Sequence, residues 1–173
     1  MQMNYGVAMF PSEHLQDVIN SYRKRYDPHY AYIPPRITLK KHFELEEAQL
    51  DITIEKLQSI ASQIKPVEVI IDKVSSFHPI NNSIYIKVQE NPNLTKLYHL
   101  LNDKDVKLQD PTHKFVPHIT IAKGLSDLEH SDILNRMKMI DFYYEETIDR
   151  FQLLYQLDNH VWTVYETFHL NKG

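Results

Sequence analysis

Two short stretches of this 173-residue chain carry the residue types that phosphate chemistry uses. Pro35-Arg36-Ile37-Thr38-Leu39 and Pro117-His118-Ile119-Thr120-Ile121 each set a basic residue and a threonine two positions apart among aliphatic neighbours. In an extended strand alternate side chains share a face, so Arg36 lies beside Thr38 and His118 beside Thr120, while Ile37 and Ile119 point into a core. Threonine hydroxyls can donate to phosphate oxygens. A neutral imidazole can take a proton from an attacking hydroxyl, and a protonated one can supply a leaving oxygen. Two such strands meeting across an approximate two-fold axis would set two cations and two hydroxyls around one cavity. The plainer reading, that threonine simply favours strands and His118 is a half-buried imidazole, suits one motif better than a matched pair.

The pair reads as a duplication. The separation of 82 residues (118 − 36 = 82) relates Arg36 to His118, Thr38 to Thr120 and Lys41 to Lys123. Asp27-Pro28 and Tyr32-Ile33-Pro34 precede the first motif as Asp110-Pro111 and Phe115-Val116-Pro117 lead into the second. Lys41 and Lys123 stand an odd number of positions beyond Arg36 and His118, so in regular strands they face away from the pocket. His42 would share the face of Arg36, but roughly 20 Å along the strand, too far to replace a residue at position 36.

The elements that must position these residues follow from hydrophobic periodicity. A strand over Tyr5–Phe10 leads to a helix capped by Ser12, with Leu15, Val18, Ile19 and Tyr22 on one face, ending at Asp27-Pro28. Arg36–Phe43 is a strand. A helix with Leu50, Ile54, Leu57, Ala61 and Ile64 on one face is closed by Pro66. Val67–Val74 and Ser83–Val88 form a hairpin around the turn residues 77–82, and Leu94, Leu97, Tyr98 and Leu101 mark a third helix. His118–Lys123 is a strand, and Ser126-Asp-Leu-Glu129 has the capping-box spacing for a helix ending near Ile140. Phe142–Asp149, Phe151–Leu157 and Val161–Leu170 complete the chain as antiparallel strands. Nearly the same β-α-β-α-β order thus occurs twice, with no linker between, and residues 1–173 are expected to form one domain of two interleaved lobes.

Composition narrows the function. The net charge of −4 argues against an extended nucleic-acid surface, leaving a small nucleotide or an RNA end as partner. No apolar run is long enough to span a bilayer and no signal-peptide pattern opens the chain, so a cytoplasmic location is the expectation. The absence of cysteine removes thiolate nucleophiles and thiolate metal sites. Three glycines, none in a phosphate-cradling loop, speak against nucleoside-triphosphatase and dinucleotide folds, and no serine sits in a nucleophile elbow. His113 and His118, five apart, match neither a helical nor a strand ligand spacing, so neither a metal nor another cofactor is expected. Arg23-Lys24-Arg25 reads as a solvated face complementing the helix dipole, or else as a reach toward an RNA backbone. Tyr85, Tyr155, Trp162 and Tyr165 could stack on a base or fill the sheets.

Paired His-x-Thr-x strands in a duplicated chain resemble the two-histidine (2H) phosphoesterase superfamily. Longer blocks resemble its YjcG-like bacterial branch: Ser21-Tyr-Arg-Lys-Arg-Tyr-Asp27, Ser75-Ser-Phe77, Phe115-Val-Pro-His118, Asp149-Arg-Phe151, Leu153-Leu-Tyr-Gln-Leu157 and Trp162-Thr-Val-Tyr-Glu-Thr-Phe168. The resemblance covers essentially the whole chain. It implies an α+β, bilobal, pseudo-duplicated fold with two antiparallel sheets lining a central cleft and helices outside. It also implies metal-independent phosphoesterase chemistry on RNA-type 2′,3′-cyclic phosphates or 2′-5′ linkages. Carried over by position, His118 is an acid–base histidine and Thr38 and Thr120 are phosphate ligands. Position 36 departs from the pattern, which calls for histidine. Arg36 can clamp a phosphate but cannot alternate between acid and base, which leaves phosphoesterase activity or phosphate and RNA-end binding without turnover as the two functional expectations.

Overall fold

The computed structural model describes residues 2–171. The first half runs β1 (Gln2–Met9), α1 (Glu13–Tyr26), β2 (Ile37–Glu46), α2 (Glu47–Ser62) and β3 (Val67–Ser76). The second runs β4 (Ile84–Val88), α3 (Pro92–Leu101), α4 (Val106–Gln109), β5 (His118–Ala122) and α5 (Asp127–Met137). The strands β6 (Tyr144–Ile148), β7 (Arg150–Gln156) and β8 (Trp162–His169) follow. The expected caps are in place: the Ser12 hydroxyl accepts from Leu15 N at 3.2 Å, and Ser126 and Glu129 form a capping box. The four-residue α4 was not expected, because one turn is too short to show a 3.6-residue period. The helix α5 stops at Met137, short of Ile140, where bonds from Met139 N to Arg136 O and Ile140 N to Met137 O tighten the chain into a turn.

Two four-stranded sheets result, in the orders β2-β1-β7-β8 and β5-β4-β3-β6, with every pairing antiparallel. This is the expected α+β architecture, with strands exchanged between the halves. The strand β3 leaves the first half for the second sheet, while β7 and β8 return to the first. In each sheet the motif strand is an edge, and β2 and β5 approach each other within 8 Å between Cα atoms. The helices brace crosswise: α1, which precedes β2, packs on β5, and α3, which precedes β5, packs on β2. Lys123 N bonds Tyr26 O at 3.0 Å, and Asn102 Nδ2 bonds Leu39 O at 2.9 Å.

Ile37, Leu39, Ile119 and Ile121 are fully buried in one core shared by both sheets, so the faces opposite, with Thr38 and Thr120, are free for chemistry. The duplication extends into backbone irregularity. Thr38 pairs with Ala8 but Lys40 with Val7, making Leu39 an extra residue on β2. Thr120 pairs with Tyr85 but Ala122 with Ile84, making Ile121 an extra residue on β5. These β-bulges sit at equivalent positions, one residue past each motif threonine.

Candidate active site between the motif strands

His118 opens β5, and the sequence before it orients its ring. Val116 O accepts from Nδ1 at 2.7 Å, which leaves the lone pair on Nε2. Phe77 meets the imidazole edge-on at 5.0 Å between centroids, and Tyr85, on the neighbouring strand, at 5.1 Å. Burial holds the His118 pKa below the ordinary 6.5. The Val116 hydrogen bond opposes that shift, and the Arg36 and Lys41 charges reinforce it. At neutral pH the ring is therefore uncharged and able to accept a proton.

Arg36 stands half-buried immediately before β2. Burial, and then the Arg23 charge, pull its pKa down to about 10, with Asp27 opposing, so it remains a cation at neutral pH. Among the described residues its guanidinium has no hydrogen bond or ion pair of its own. The loop that delivers it is anchored by Arg23, which is completely buried. Arg23 binds Asp27 Oδ2 at 3.1 Å, Asn20 Oδ1 at 2.7 Å and Ile33 O at 2.7 Å. This corrects the expectation for the basic cluster: Lys24 and Arg25 are exposed, but Arg23 fixes residues 27–33 and faces neither solvent nor ligand.

Thr38 and His118 line one cavity of about 770 Å³, together with Lys41, His42, Phe77 and Phe115. Thr120 and Arg36 lie outside that lining. Thr120 follows His118 on the same face of β5, opposite Tyr85, and Arg36 acts on His118 through its charge. Lys41, expected to face away, joins the lining because the bulge at Leu39 breaks strict alternation. His42 joins it as well, within a second irregularity between Lys40 and Phe43. Lys123 lines a separate cavity with His78 and Asn82, and together with Arg36 it depresses the His29 pKa, for which burial is the larger cause. His113 bonds the Tyr98 hydroxyl at 3.2 Å. Tyr155 and Tyr165 pack edge to face and Trp162 lies against Gly6, so of the four aromatics Tyr85 alone touches His118. Sequence reasoning missed Phe77 and Lys41. The hairpin turn after β3 signals the first only as a loop residue, and for the second the repeat with Lys123 marks the position while regular strand alternation turns it away from the pocket.

The 2′-5′ RNA ligase superfamily matches residues 10–160. A Bacillus cytotoxicus protein named "Putative phosphoesterase" is 53% identical over 171 residues, 99% of each chain. A protein of the same name from Bacillus anthracis is 52% identical over the same span. Among solved structures, Escherichia coli LigT complexed with 3′-AMP superposes with a TM-score of 0.71 at 14% identity, covering 98% of this chain and 99% of that one. TT0787 of Thermus thermophilus gives 0.69 at 18% identity, covering 99% of each. The structural likeness speaks for the fold, and the family match and full-length relatives for descent: the chain belongs to the 2′-5′ RNA ligase superfamily, the two-histidine phosphoesterases.

Proposed function

We propose that the chain hydrolyses an RNA-type phosphodiester, a 2′,3′-cyclic phosphate or a 2′-5′ linkage, with His118 as its proton-carrying residue. The observation that carries this reading is the neutral, oriented imidazole of His118 sharing a cavity with Thr38 while feeling the charge of Arg36. Thr38 and Thr120 donate hydrogen bonds to the phosphate oxygens, and Arg36 offsets the charge of the phosphorane as it forms. Nε2 of His118 takes the proton of the attacking water while the bond from phosphorus to the leaving oxygen breaks. In-line displacement puts the leaving oxygen on the opposite side, where Arg36 cannot release a proton, so solvent supplies it. Loss of one acid–base partner lowers the rate by roughly 10²- to 10⁴-fold, and slow turnover is the expected behaviour. LigT, one of the structural neighbours, was crystallised with 3′-AMP and with phosphate, in keeping with a phosphate site in this fold.

Arg36 favours a second reading, in which the cleft binds a phosphate or RNA end without turning it over. Incubation with 2′,3′-cyclic nucleotides and 2′-5′ dinucleotides in chelator-treated buffer separates the two. Product formation that disappears in His118→Ala supports the enzyme, and saturable binding without product leaves only the binding protein.

A further inference from the structure

The face of the first sheet that carries Thr38 continues across β1 and β7 into a second cavity of different chemistry. Thr38 pairs with Ala8, and Ala8 with Gln152, so the three side chains stand in one row, about 10 Å from end to end. Leu154 shares that face and packs with Ala8 and Ile33 in a cluster separate from the main core, with Phe10 and Trp162 against it. The Trp162 ring lies over Gly6, where an added Cβ would stand 3.7 Å from it. A cavity of about 390 Å³ opens here, lined by Phe10, Ile33, Pro34, Gln152 and Trp162 among others, none of them charged. Pro34, two residues before Arg36 in the chain, is part of this lining. The cavity on the histidine side instead carries Lys41, Lys104 and Lys114.

One residue of this neutral lining carries an unused hydrogen-bond acceptor. Gln152 Oε1 is buried and, among the described residues, has no hydrogen-bond partner. A buried amide oxygen without a donor is unfavourable, and a ligand N–H would relieve it. A glutamine amide pairs in bidentate fashion with an amine next to a ring-nitrogen acceptor, as on adenine, and an indole offers a base a flat apolar wall. We propose that this cavity is a nucleobase subsite for an adenine-type ring, with Gln152 bonding its amine edge and Trp162 forming its wall. The inference rests on the reading of Arg36 and Thr38 as the phosphate site.

Trp162 is the chain's single tryptophan, so its fluorescence reports on this cavity alone. Adenosine 3′-phosphate should quench it and bind about tenfold or more tightly than inosine 3′-phosphate, which lacks the amine. Gln152→Leu should erase that preference while its thermal unfolding curve stays cooperative, and Gln152→Met provides a second variant. Inorganic phosphate, followed by calorimetry, should bind without quenching. Equal binding of the adenosine and inosine phosphates to the parent protein, or nucleotide binding with no change in Trp162 emission, overturns the subsite. If adenosine itself quenches while inorganic phosphate does not bind, the subsite stands and the phosphate reading fails. Phosphate binding with no nucleotide quenching sinks the subsite alone.

Discussion

His118 has one nitrogen committed to Val116 O and one left for chemistry, and burial, reinforced by the charges of Arg36 and Lys41, holds its pKa below the ordinary value. In the free protein it should titrate below the ordinary imidazole value of 6.5, as followed by the ring proton shifts in NMR. Bound phosphate should raise that pKa, since an anion favours the imidazolium. His118→Ala should lower turnover by roughly 10²- to 10⁴-fold, measured on a 2′,3′-cyclic nucleotide; a rate within twofold of the parent would remove His118 from the mechanism. The pairing of the two motif strands was legible in the sequence because the pattern occurs twice at one separation. The tautomer of His118 was not legible, since it depends on where the carbonyl of Val116 points.

Each motif strand is an edge braced by a helix of the other half, β5 by α1 and β2 by α3. Asn102 clasps Leu39 O at the β2 bulge, and also bonds Tyr98 O at 2.8 Å, so one side chain ties the end of α3 to the strand that carries Thr38. Asn102→Ala should cost about 1–3 kcal/mol in chemical denaturation by leaving a buried carbonyl unpaired, and should raise KM more than it lowers kcat. Arg23→Leu should cost about 3–5 kcal/mol, because the Asp27 carboxylate is buried with it. Arg23→Leu combined with Asp27→Leu should recover part of that loss, and no recovery would show that the ion pair is not what stabilises the loop. The helices and their caps could be read from periodicity and cap residues. The bulges could not, because Leu39 and Ile121 look like ordinary strand residues, and it was a bulge that turned Lys41 toward the cavity. Arg23 misled for a related reason: its partners on the loop, among them Ile33 O, meet it only in the folded chain.

Across the whole molecule, the exchange of β3 and β7 between sheets couples the two halves through one core, so the site and the fold share their stability. His118 and His130 both have folded-state pKa values below 6.5, each lowered mainly by burial. Below 6.5 the unfolded chain binds protons that the folded chain resists, so their contribution is intact above that value and lost as pH falls toward the folded values. Melting temperature should therefore decline on acidification from pH 7.5 to 5, and less steeply in His118→Gln. No helix among the described residues is long and apolar enough to cross a membrane. The element order and its near repetition were visible in the sequence. The swap between sheets was not, since periodicity reports what each strand buries and not which strand lies beside it.

The pH–rate profile of Arg36→His beside the parent tests most directly whether the site is asymmetrical, with His118 moving protons and Arg36 holding charge. On a 2′,3′-cyclic nucleotide the parent should be slow, with a single acid limb set by His118. Arg36→His should be faster and bell-shaped, the new basic limb belonging to the restored acid. A parent that is already bell-shaped near neutrality, or a variant no faster than the parent at any pH, would contradict this account.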